Sequence, residues 1–198
     1  MEEPQTAEAE ERTASVAEAN VAAIVGVLPP LALLLVAYGF VWGAGALGDG
    51  FDALVDPLWR FLLLVVGSVV VHEALHGIAW RLAGAAAGSV SFGFQVKTLT
   101  PYAHSSAPMT ATAYRIGAVT PGVVLGLVPA VAGLMLGAGA VFWYGVIFTL
   151  VAGGDALILW LLRGVPGDRL VADHPSKPGC LVLPKSDGAP ERTGAGAV

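Results

Sequence analysis

Residues 65–84 read VVGSVVVHEALHGIAWRLAG and place three titratable groups, His72, Glu73 and His76, in a run otherwise built of hydrocarbon. The pattern predicts a long apolar helix. An ionisable side chain at the centre of a membrane-spanning helix costs about 2.5 to 3.5 kcal/mol on insertion scales, so three within five residues need a compensating partner. A bound metal ion is one such partner. His72-Glu73-Ala74-Leu75-His76 has the spacing HExxH. On a helix, positions i and i+4 share a face, so both imidazoles can turn to one zinc while Glu73 stands alongside to handle a proton of bound water. The competing reading is a set of core residues satisfied by neighbouring helices. Only four histidines occur in the chain, and two of them take this spacing around a glutamate.

The rest of the chain has the composition of a membrane protein. It is 56% hydrophobic and only 13% charged, against roughly a quarter charged in ordinary soluble domains. The net charge of −5 comes largely from the ends. Glu2, Glu3, Glu8, Glu10, Glu11 and Glu18 face Arg12 alone within residues 1–20, which predicts a solvated, disordered arm. That arm lacks the basic start of a cleavable signal, so the first apolar run is expected to stay as an anchor. A membrane-embedded domain is expected over 21–182 and a disordered tail over 183–198. Cys180 is the single cysteine, which excludes an internal disulfide and a cysteine-based zinc cluster. Any metal must be held by histidine and carboxylate.

Four segments reach the roughly 20 apolar residues that a spanning helix needs: 22–47, 57–83, 113–137 and 140–162. The fold class expected is therefore an all-α membrane protein of about four transmembrane helices. GDGFDALVDP (48–57) reads as the first loop, with Pro57 opening the second helix. Pro121 and Pro129 predict a kink in the third. Between helices two and three, SVSFGFQVK (89–97) alternates, with Val90, Phe92, Phe94 and Val96 on one face, and predicts a short strand or hairpin. Pro101 and Pro108 break TPYAHSSAPMT (100–110) before the third helix. With four spans, nine of the ten lysines and arginines fall on one side and Arg60 alone on the other. That asymmetry predicts a multi-pass cell-membrane protein with both termini in the cytoplasm. Expected partners are the bilayer and a membrane protein or peptide substrate, with no nucleic acid. The glycine spacings leave the oligomeric state open.

A catalytic zinc takes three protein ligands and keeps one position for water. Candidates for the third ligand are Asp155, His104, and Asp173 or His174. Asp155 is the only acid in the fourth apolar segment. It lies eight residues before Arg163, as His76 lies eight before Gly84, so each sits about 12 Å from the same end of its helix. His104, in the irregular segment, could instead gate the site or lie exposed in a loop. Asp173 and His174 read as a surface turn, which Pro175 and Pro178 could fold back under the site.

HExxH in an apolar helix, PYAHSSAPM, the TPG of residues 120–122, GGDALILWLLR (153–163) and DHPSKPGC (173–180) together resemble the putative zincin peptidase family of membrane proteins. That family is itself similar to site-2 intramembrane metalloproteases. The resemblance covers residues 65–182. It implies a Zn2+ site of His72, His76 and Asp155 with Glu73 as catalytic acid/base, in a membrane-embedded zinc metalloendopeptidase. The chain departs from site-2 proteases in having no Asn-Pro element and in placing Ala156, not glycine, after Asp155. The alternatives are a non-catalytic metal-binding membrane protein, such as a sensor or permease component, and a small assembly factor without metal. An exposed strand edge near Val90–Val96 could pair with an unwound substrate, or Phe92 and Phe94 could simply pack at the bilayer interface.

Overall fold

The computed structural model describes residues 9–95, 100–175 and 177–184. Helix α1 (Val16–Trp42) begins earlier than its hydropathy implies, because Ser15 and Glu18 form a reciprocal capping box. It stops at Gly43, whose φ of 90° suits glycine. The expected loop 48–57 is instead mostly helix α2 (Ala44–Val55). Leu47, Phe51 and Leu54 recur at four and three residues, a helical stripe hidden among glycines and aspartates. Gly50 of α2 lets that helix lie directly on Gly139, where a Cβ would come within 2.6 Å of the opposing Cα.

Pro57 precedes α3 (Leu58–Leu82), the helix that carries the HExxH stretch. A hairpin follows, β2 (Val90–Gln95) against β3 (Thr100–Ser105), with Phe92 opposite Ala103. The alternation is thus a strand as read, but Val96 and Lys97 lie outside the described residues. After β4 (Met109–Thr110), one long run comprises α4 (Ala111–Pro121), a π-helical turn (Gly122–Leu127) and α5 (Val128–Leu136). The prolines that predicted a kink bracket this turn, which widens the helix where backbone bonds are lost. Gly126, Gly133 and Gly145 bring α5 and the turn before it onto α6 (Gly139–Val151) at backbone distance; a Cβ on Gly145 would lie 2.1 Å from Ala130 N. The fourth apolar segment is not one helix. It breaks at Ala152 into α6 and α7 (Gly153–Leu161), bent by 44°.

Three helices are long and apolar enough to cross a membrane, and the bent pair α6–α7 makes a fourth if it counts as one span. Their outer faces are apolar: Leu33, Phe40, Leu82 and Leu136 are 71 to 90% exposed. The protein is mostly helical, with a sheet that composition did not foretell. β5 (Leu170–Asp173) and β6 (Gly179–Val182) form its centre, and the order is β1-β6-β5-β4, with β1 at Glu10–Thr13. Residues 10–13 therefore depart from the expected arm, because Glu10 to Thr13 pair with Val182 to Gly179. Residues 1–8 and 185–198 lie outside the described residues. Trp80, Met109, Tyr114, Leu162, Val171 and Cys180 form one core that fastens the sheet to the ends of α3, α4 and α7.

Candidate metal centre

α3 carries His72 and His76 one turn apart on its inner face, 5% and 7% exposed, with ring centroids 4.9 Å apart. Asp155 comes from the first turn of α7. Its Oδ2 lies 3.1 Å from His72 Nε2 and its Oδ1 3.2 Å from His76 Nε2. Asp155 follows the break at Ala152 by three residues. Both imidazoles and the carboxylate expected from the sequence are thus brought together.

The hydrogen bonding around them is incomplete in an informative way. His76 Nδ1 lies 2.9 Å from the Gly117 carbonyl, which can only accept, so Nδ1 carries the hydrogen. In a neutral ring, Nε2 then presents a lone pair to a carboxylate oxygen. That contact needs a proton or a cation between the two atoms. Asp155 Oδ2 and His72 Nδ1 are buried without a hydrogen-bond partner among the described residues. Ligands about 2.0 to 2.1 Å from a tetrahedral zinc stand roughly 3.3 Å apart, close to the two observed separations. The donor set fits a divalent metal.

Pro121 explains why the Gly117 carbonyl is available. In an α-helix that carbonyl would accept from the N–H of residue 121, and proline has none. The proline that predicted only a kink therefore frees an acceptor for a site histidine. Gly117 is also where Trp80 seats: a Cβ there would fall 2.0 Å from Trp80 Nε1. Trp80 stacks on His76 at 5.7 Å. Its place four residues after His76 was a readable signal, since i and i+4 share a helix face.

Glu73 takes a different position. Its Oε2 accepts the Ala103 backbone N–H of β3 at 2.8 Å, which ties the hairpin to α3. One ligand atom from each of His72, Glu73 and His76 lies within 4.8 Å of the others, so these three could also hold a metal. The Asp155 oxygens are closer to the imidazole nitrogens, and Glu73 is engaged by the strand. A cavity of about 640 Å³ opens over the group, lined by His72, Glu73, His76, His104 and Asp155 among others.

His104 lies in strand β3, not in an irregular loop, and its Nδ1 is 2.7 Å from Asp173 Oδ2. It does not join His72, His76 and Asp155. Asp173 is the last residue of β5, with a side chain only 14% exposed, so it is not part of a surface turn. His174 Nδ1 accepts the Lys177 backbone N–H at 2.9 Å. Tyr114, whose hydroxyl donates to Asp173 Oδ1, had no signal in the sequence.

A His-Glu-His helix facing a partly buried aspartate, among helices of membrane-spanning length, defines the class: a helical protein built around a zincin-type centre. The chain belongs to the family described as "Putative zincin peptidase", whose model matches residues 65–170. That description fits a metallopeptidase and implies zinc. Comparison with curated proteins and with solved structures returned no match.

Proposed function

We propose that this protein is a membrane-embedded zinc endopeptidase that hydrolyses peptide bonds in or near the bilayer. The observation that carries the reading is the double contact of one buried carboxylate, Asp155, with the Nε2 atoms of both HExxH histidines. His72, His76 and Asp155 would hold the metal. When bound, zinc supplies Lewis acidity that activates water near neutral pH and polarises the peptide carbonyl. Glu73, close to the imidazoles but outside the Asp155 contact, takes the proton of the attacking water and delivers it to the leaving amine nitrogen. Gly117 holds His76 through Nδ1, which keeps Nε2 directed inward.

In this reading α1, α3, the α4–α5 run and α6–α7 are four spans, with the sheet and both chain ends on the cytoplasmic side. Arg115, which donates to the Leu162 and Val165 carbonyls, and Arg169, which donates to the Leu183 carbonyl, gather at the sheet end, as the asymmetry of basic residues requires. The substrate is an extended segment. A helix hides its carbonyls in its own hydrogen bonds. β3, which lends Tyr102, Ala103 and His104 to the cavity wall, is the strand that such a segment would lie beside. The site-2 protease likeness belongs to the same proposal.

The test is Glu73→Gln, with zinc measured on purified protein and new amino termini mapped by mass spectrometry in membranes of cells expressing parent or variant. Zinc should stay stoichiometric while parent-dependent termini vanish. Zinc retained with an unchanged set of termini would favour the non-catalytic metal-binding reading, and absence of zinc from the parent would overturn both.

A further inference from the structure

Two sequence motifs stand outside the chemistry above, PYAHS (101–105) and DHP (173–175), and the fold lays them side by side. Asp173 Oδ2 receives His104 Nδ1 at 2.7 Å and the Ser105 backbone N–H at 2.9 Å, while Oδ1 receives the Tyr114 hydroxyl. A carboxylate accepting from three directions has no hydrogen to give, so Nδ1 of His104 is the donor and the ring is fixed in one orientation. Nε2 is then the polar atom left to meet a ligand. The ring lines the same cavity as His72, Glu73 and His76, and its side chain is 42% exposed.

The neighbouring backbone sets where this imidazole stands relative to Glu73. Along β3, Ala103 N–H binds Glu73 Oε2 and Ser105 N–H binds Asp173 Oδ2. His104 is the residue between these two anchors. Tyr114 is 5% exposed and packs on Trp80, which in turn stacks on His76, so the support of Asp173 runs back to the metal centre itself. A histidine merely exposed in a loop needs no such support, and one that ligated the metal through Nδ1 could not spend that atom on Asp173.

We infer that His104 is a second catalytic group of this site, whose Nε2 meets the oxygen of the scissile peptide carbonyl as negative charge develops there, and that Asp173 is the positioning residue that fixes its ring. In its imidazolium form His104 donates Nε2–H to that oxygen. The contact strengthens as the carbonyl becomes tetrahedral and relaxes when it re-forms, with no net proton transferred. A donor held in place before the charge appears needs no reorganisation at the moment of reaction. This assignment rests on the peptidase reading of the centre.

The experiment uses purified full-length protein in detergent with two probes: a hydrophobic phosphinate tripeptide, which carries a tetrahedral anionic centre, and acetohydroxamate, which needs only the metal. In His104→Ala, zinc content and acetohydroxamate affinity should match the parent within about twofold, while phosphinate affinity falls about 100-fold, the scale of one lost oxyanion donor. Asp173→Asn should lose about tenfold. In His104→Gly, free imidazole should restore phosphinate binding, a rescue that a structural role would not give, and His104→Gln should recover part of it. Phosphinate affinity equal to the parent in His104→Ala, or no rescue of a folded, zinc-loaded His104→Gly, would overturn the assignment. Zinc lost from His104→Ala would make it a metal ligand instead. A parent without zinc overturns the peptidase reading, and this assignment with it.

Discussion

Two clusters in one cavity pair histidine with aspartate, and they differ in how the carboxylate is satisfied. Asp173 receives a backbone N–H, a tyrosine hydroxyl and an imidazole. Asp155 meets two imidazole nitrogens, and its Oδ2 has no hydrogen-bond partner among the described residues. Leaving a buried polar atom unmatched costs about 1 to 3 kcal/mol, more when it is charged. The cluster around Asp173 is complete as it stands, whereas the one around Asp155 leaves room for the cation proposed above.

The largest expected effect separates the two acids directly. Asp155→Ala should lower zinc affinity by at least about 100-fold, beyond the 10- to 100-fold typical of losing a group that only supports a ligand, whereas Asp173→Asn should leave it within about twofold. Metal analysis after dialysis against a graded chelator reads both. Equal zinc loss in the two variants would erase the distinction. A smaller effect is expected at Pro121. Pro121→Ala supplies an N–H that competes with His76 for the Gly117 carbonyl, so zinc affinity should fall about tenfold with the fold retained. An unchanged affinity would show that His76 needs no help from α4.

The last effect, on alkylation and not on zinc, lies beside Asp173. Burial, with the Asp173 charge next, pushes the Cys180 thiol up to about 11. A raised thiol pKa means less thiolate at any lower pH, so alkylation by iodoacetamide at pH 8 should run about 100-fold slower in the folded protein than at an unperturbed cysteine. Rapid labelling at pH 8 would mean that the sheet opens.

The meeting of His72, His76 and Asp155 was legible because its signal is local: HExxH fixes two imidazoles on one helix face, and equal distances to the helix ends led to Asp155. The apolar lengths likewise marked the helices that are long enough to cross a membrane. The second cluster was hidden because Tyr114, His104 and Asp173 are brought together only by β3, β5 and α4, and no spacing in the chain records that meeting. α2 was missed for the opposite reason. Its glycines and aspartates resemble a turn, and only the backbone contact of Gly50 with Gly139 shows why small residues are needed there. The break at Ala152 left no trace in hydropathy, since α6 and α7 are both apolar. Pro121 was visible as a disturbance, but its purpose needed the partner of the freed carbonyl.

The pairing of β1 with β6 also bears on biogenesis. β1 is synthesised before α1, yet its partner Gly179–Val182 follows all of the helices in the chain. Until then β1 and β5 each lack a neighbour, and the cap over the cavity stays open. Formation of the helices and completion of the sheet are thus separate steps, and a chain ending before Gly179 would carry every helix beside a sheet that lacks β6.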